Sequence, residues 1–219
     1  MSVAFDAVAS ADATTTSLSY SHTCTGDNRV MLVLVKIFDT SNLVTGVTYN
    51  SVGATLIDSR QDASNRWSYV YRLTAPATGA NNVVVSLSAS TGVAAISQSY
   101  TGCTQTGVPD SFTTAVANVA AVSMTTTTIA NNAWLVSFYG GGRSLSAVSG
   151  GVERRYQGGQ ADQLYGYDSN GPKTPAGSIT ISATQASSPS SYVTFSVSLA
   201  PVASGGPAPR TQLTMMGVG

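Results

Sequence analysis

The sequence is written twice, and that repetition constrains the fold more than any other feature. Asn28-Arg29-Val30-Met31-Leu32-Val33-Leu34-Val35 returns as Asn132-Ala133-Trp134-Leu135-Val136-Ser137-Phe138-Tyr139. Trp67-Ser68-Tyr69-Val70-Tyr71 returns as Gln163-Leu164-Tyr165-Gly166-Tyr167. Val83 to Leu87 returns as Ile179 to Ala183, and Ala94 to Ser99 as Val193 to Ser198. The order is the same in both halves, at an offset of about a hundred residues, the mark of a fold built from one unit used twice. Features kept in both copies read as packing. Features present in only one copy are where a function would sit.

Period-2 alternation dominates and helical periodicity is nearly absent. The first half reads as strands over 17–23, 29–38, 45–50, 54–60, 66–73, 82–88 and 93–101. The second reads as strands over 121–129, 133–139, 145–149, 152–157, 163–168, 178–183 and 192–200. Thr and Val suit pleated, half-buried positions, and Gly, Asn, Asp, Ser and Pro fall between the runs where turns need them. Parallel pairing would require crossover helices, for which there is no room. The expected fold is therefore all-β: tandem antiparallel β-sandwiches, Ig-like or jelly-roll-like, related by an internal repeat. Residues 1–105 form the first sandwich, 106–203 the second and 204–219 an extended arm. One larger interleaved sandwich is the alternative. The stretch 102–118 reads as the joint between the halves.

Composition narrows the function. Charged residues are 9% of the chain, the formal net charge is zero and 42% of residues are hydrophobic, so the chain should fold. No clustered positive face is visible, which argues against nucleic-acid binding. No stretch approaches a membrane span. The N-terminus has neither the basic start nor the apolar run of a signal peptide. Surface-like composition without such a signal is expected of virion proteins, which fold in the host cytoplasm and work outside it. Cys24 and Cys103 flank the first half, and sequence alone does not decide whether they are bridged.

Catalytic chemistry finds few groups to use. His22 is the only histidine and reads as a strand-end residue with a local hydrogen bond. Glu153 is the only glutamate and stands beside Arg154 and Arg155, which would lower rather than raise its pKa. Asp58 and Asp62 read as turn residues. Asp27, Asn28 and Asp39 could offer oxygen ligands to calcium, but no calcium-loop motif accompanies them. The chain is expected to be no enzyme and to use no cofactor or metal.

Interaction residues are easier to nominate. Trp67, Tyr69 and Tyr71 share one strand face. They are a core stripe, since Tyr165 and Tyr167 recur at the matching places, or alternatively a glycan-stacking platform. Arg143, in a glycine-rich loop, and Arg154, Arg155 and Tyr156, in a hairpin, combine residue types favoured at interfaces. In the arm, Leu213, Met215, Met216 and Val218 offer adaptable apolar contacts to a partner.

A resemblance extends this reading. It is carried by Ser21-His22-Thr23, Asn28 to Val33, Val47-Thr48-Tyr49, Trp67 to Leu73 with Ala75-Pro76-Ala77-Thr78-Gly79, Val83 to Ser88 and Ser99-Tyr100-Thr101-Gly102. These segments resemble repeat-built β-sandwich proteins of tailed bacteriophages, also found in bacterial surface proteins. The resemblance implies a virion structural protein: a capsid-decorating, fibre or tail subunit that binds other virion proteins and forms homo-oligomers. It brings no catalytic residues. The alternative from another class is a carbohydrate-binding module or adhesin acting through the aromatic strand.

Overall fold

The computed structural model describes residues 1–160, 162–187 and 189–203. Every regular element among them is a β-strand, and all paired strands run antiparallel. None of the described residues forms a helix long and apolar enough to cross a membrane.

The first half contains β1 (Ala4–Cys24), β2 (Val30–Ile37), β3 (Val44–Tyr49), β4 (Val52–Gly53), β5 (Thr55–Gln61), β6 (Trp67–Thr74) and β7 (Gly79–Thr101). The second contains β8 (Ser111–Ala117), β9 (Ala121–Thr127), β10 (Trp134–Gly141), β11 (Leu145–Ser149), β12 (Val152–Gly159), β13 (Asp162–Asp168), β14 (Ser178–Gln185) and β15 (Tyr192–Leu199).

In the first half, β1 and β7 run 21 and 23 residues, long enough to take part in two layers each. The early part of β1, Ala4 to Thr15, pairs with Thr101 back to Thr91, and its later part, Ser17 to Cys24, pairs with Ser86 back to Gly79. The register breaks between Thr15 and Ser17, and such a bulge lets a strand bend from one sheet into the next. One layer therefore reads β5-β6-β2-β7-β1, and the other β4-β3-β7-β1. The second half has a five-stranded sheet, β12-β13-β10-β15-β8, and a three-stranded sheet, β11-β14-β9. Here the corners are open: 118–120 separates β8 from β9, and 186–191 separates β14 from β15.

Three hydrophobic cores fill the spaces between these layers. Met31, Val33, Val35, Tyr69 and Tyr71 pack against Val47, Tyr49, Val83 and Val85 inside the first half. Leu135, Tyr139, Tyr165 and Tyr167 pack against Val122, Met124 and Ile181 inside the second. The third core joins the halves: Val30, Leu32, Leu34, Val70, Ile96 and Tyr100 meet Trp134, Val136, Phe138, Leu164, Val193, Phe195 and Val197. The two larger sheets thus stand back to back.

This arrangement departs from the one-faced burial that period-2 alternation implies. Every residue of β2, β10 and β15 is buried, because each strand lies between two cores. It also corrects the reading of 102–118 as joint alone. Ser111–Ala117 is an edge strand, and Val108 belongs to the shared core. Cys24 and Cys103 are free and buried in different cores, so neither half is closed by a disulfide. Asp27 and Asn28 precede β2 while Asp39 follows it, so the three oxygens proposed for calcium sit at opposite ends of one strand.

Candidate functional site

Charged and polar side chains gather where the two halves meet, and there the sequence-nominated residues change their meaning. Arg154 is on β12, not in a free loop. Its Nε and Nη2 donate to both carboxylate oxygens of buried Asp168, at 2.7 and 3.0 Å. The Tyr100 hydroxyl donates to the same carboxylate at 3.0 Å, and the guanidinium lies 4.3 Å from the centre of the Phe5 ring. Tyr100 and Phe5 come from the first half, so Arg154 fastens one half to the other. Burial, with the neighbouring Asp168 carboxylate, pushes the Tyr100 hydroxyl well above its ordinary pKa and keeps it a neutral donor. Arg155 Nε donates to Ser10 Oγ at 2.6 Å, and Gln157 Nε2 reaches Asp12 at 2.6 Å, extending the seam along β1. Gly92 belongs to this seam too: a Cβ there would collide with the Gln160 carbonyl.

Of the loop and hairpin residues nominated for partners, Arg143, Arg155 and Tyr156 are exposed and Arg154 is half-buried. Tyr156 packs against Tyr165, the tilted rings 4.9 Å apart, and donates to Gln163. The aromatic stripe is core. Tyr69 and Tyr71 are 1% and 5% exposed, and half-buried Trp67 stacks on Tyr69 while its Nε1 donates to the Thr40 carbonyl. Tyr69 and Tyr71 are therefore closed to a stacking sugar, and of the three only Trp67 keeps some exposure. Leu213, Met215, Met216 and Val218 lie outside the described residues.

His22 does not make a merely local bond. It is buried between the layers of the first half, with Nδ1 2.9 Å from Ser97 Oγ and Nε2 3.0 Å from Ser99 Oγ. Ser99 Oγ in turn donates to Asp6 at 2.7 Å. Burial pushes the imidazole pKa down from 6.5 to about 4, against the opposing pull of Asp6. Histidine, serine and aspartate do meet here, but the serine stands between the other two. A hydrolytic relay would need the histidine between them.

Asp6 has a counterpart in the second half. Asp110 accepts from Ser198 Oγ and from the backbone N–H groups of Ile129 and Ala130, as Asp6 accepts from Ser99 Oγ and the Thr25 N–H. Both carboxylates tie the last strand of a half to the loop that precedes its central strand. His22 has no such counterpart: the corresponding place holds Thr126, whose hydroxyl meets Ser111 and Thr113.

The second inter-half cluster was not anticipated. Lys36, the only charged residue in β2, is fully buried. Its Nζ lies 3.0 Å from Asp62 and 3.9 Å from Asp162, the latter contributed by the second half. Asp162 is also paired with Arg66, whose guanidinium lies 3.8 Å over the Phe38 ring. Gly140 leaves room for the lysine stem: a Cβ there would approach Lys36 Cδ to 3.3 Å and Ser68 Oγ to 3.1 Å. Desolvation lowers the Lys36 pKa, and the two carboxylates oppose that shift. A lysine inside an otherwise apolar strand was the sequence signal for this cluster.

No group of three or more His, Cys, Asp or Glu among the described residues could hold a metal ion. A cavity of about 400 Å³ lies between Met1, the 130–132 turn, Pro172 and the 201–203 segment, and holds no cluster of titratable groups. The chain matches no protein-family model, no curated protein and no solved structure.

Proposed function

We propose that this chain is a non-enzymatic structural subunit of a tailed-phage virion, a capsid-decorating, fibre or tail component that works by binding other virion proteins and copies of itself. The observation that carries this reading is apolar exposure on strands at or beside the sheet edges. Val52 on β4, Leu56 on β5, Val116 on β8, and Val152 and Tyr156 on β12 are each at least 39% exposed. An edge strand presents unpaired N–H and C=O groups, and apolar side chains beside them suit pairing with a neighbour's strand. Arg143 and Tyr156 would frame such contacts. The free, buried thiols suit folding in a reducing cytoplasm before assembly.

The same proposal includes the finer architecture: two sandwiches, each a copy of one structural repeat. Strand order supports it, because β5-β6-β2-β7-β1 and β12-β13-β10-β15-β8 correspond place for place, as do β3-β7-β1 and β11-β14-β9. The paired Asp6 and Asp110 contacts support it as well. The arm carrying Leu213, Met215, Met216 and Val218 is proposed as an assembly contact.

Light scattering tests the self-association. The full chain should form oligomers that Leu56→Lys and Val116→Lys variants lose while remaining folded. A chain that stays monomeric at high concentration contradicts that part of the reading. Truncation after Ala203 should leave a folded protein that assembles poorly, and unimpaired assembly would remove the arm. Antibody labelling of particles from a phage carrying this sequence tests the virion assignment, and unlabelled particles would overturn it.

A further inference from the structure

Lys36 is an amine sealed in a core, touching a carboxylate, with a second carboxylate at hand. We infer that Lys36 and Asp62 condense spontaneously into an intramolecular isopeptide bond, with Asp162 from the opposite half relaying the proton.

The geometry supplies each requirement of amide formation. The nucleophile and its target are held together, Nζ lying 3.0 Å from Asp62 Oδ2, so the reaction is unimolecular and Nζ has only to swing from that oxygen onto the adjoining carbon. The Asp62 carboxyl is polarised: Oδ1 accepts the backbone N–H groups of Ser64 at 2.8 Å and Arg66 at 3.1 Å. Two preorganised amides on one oxygen are the arrangement that stabilises a tetrahedral oxyanion. Asp162 Oδ2 stands 3.9 Å from Nζ, a small side-chain movement outside hydrogen-bond reach, and takes up a proton when that gap closes as the amine moves onto the carbon. Arg66 holds Asp162 in place. Desolvation favours the neutral amine, the form that can attack.

The step balances without any outside reagent. A proton first passes from the Lys36 ammonium to Asp62 Oδ2 along their hydrogen bond, leaving a neutral amine beside a carboxylic acid. The Nζ lone pair then forms a bond to Asp62 Cγ, and the carbonyl electrons move to Oδ1. Asp162 takes the second proton from Nζ and passes it to Oδ2. The Cγ–Oδ2 bond breaks, and Oδ2 leaves as water. Nζ begins with three protons and ends with one, the other two depart in the water, and Asp162 finishes as it started.

There is also a driving force. A buried ion pair must recover the desolvation of both charges, and its mutual attraction often fails to do so. Condensation replaces both charges by one neutral amide. Because Asp162 belongs to the second half, the bond would form only after the halves have docked. The product would link β2 to the β5–β6 turn beside the shared core, a covalent reinforcement in a chain whose cysteines are unbridged.

Tryptic peptide mass spectrometry of the full chain decides the matter. Blocked cleavage at Lys36 should release residues 30–60 joined to residues 61–66, lighter by one water than the two separate peptides. Asp62→Asn should give the same joined product, with ammonia lost in place of water. Asp162→Ala, verified as folded by circular dichroism, should yield separate peptides and normal cleavage after Lys36. Separate peptides from the unaltered chain would overturn the proposal whatever the variants do. A joined product from Asp162→Ala would overturn the relay.

Discussion

The two halves bury their cores by the same strand order but hold their corners differently. In the first, β1 and β7 pass unbroken from one layer to the next; in the second, the equivalent paths are cut into β8 and β9, and β14 and β15. The interior furnishings differ too. Where the first half has His22 and Lys36, the second has Thr126 and Gly140. What the two halves have in common is the strand order, the apolar alternation and the Asp6 and Asp110 ties. The titratable groups of one half are additions to that frame, and each reaches a partner distant in sequence.

The largest expected effect falls on the core common to both halves. Phe138→Ala and Trp134→Ala in β10 should each destabilise by about 3–5 kcal/mol, and Leu34→Ala, the matching change in β2, by about 2–5 kcal/mol. Denaturant midpoints measure this. A loss confined to β10 variants would break the idea that the core belongs equally to both sheets.

Acid should act on the first half. The unfolded His22 takes up a proton below about pH 6.5 and the folded one only near pH 4, so between these values the unfolded state holds more protons. Stability should therefore fall as pH drops through this window, by up to about 3 kcal/mol. His22→Gln should flatten that part of the curve. An unchanged pH profile in the variant would assign the acid sensitivity elsewhere.

The seam is a smaller test. Asp168→Asn weakens the partners of Arg154 and Tyr100 together and should cost about 1.5–3 kcal/mol. The pair of exposed Arg60 with half-buried Asp58 should matter less, at about 1 kcal/mol. Equal losses would mean that Arg154 is not fastening the halves. The smallest effect is on the thiols. Cys24 and Cys103 are buried, and burial pushes the Cys103 thiol up to about 12. Both should resist thiol reagents until the chain unfolds, and rapid labelling under native conditions would contradict their placement.

Most strands were legible because Val, Ile and Tyr alternate clearly with polar residues. Two were not. Ala4 to Thr15 and Ser111 to Ala117 are edge segments rich in Ala, Ser and Thr, whose small side chains give little contrast between faces. The run Ser88-Ala89-Ser90-Thr91-Gly92 carries turn residues, yet it is the bend by which β7 changes layers. The signal for back-to-back packing was the continuous apolar run Val30 to Val35 of β2, which does not alternate because both of its faces are buried. The inter-half clusters were least legible. Asp62 reads locally as a turn residue and Arg154 as part of a hairpin, and only the docking of the halves brings Lys36, Asp62 and Asp162 together.

Native-state hydrogen exchange, resolved by residue at low denaturant, tests the central claim that the two halves are one body across a shared core. The amides of β2, β7, β10 and β15 should share the highest protection and lose it together in a single global opening. Exchange of β10 and β15 through a separate, lower-energy opening, with β2 and β7 still protected, would contradict it.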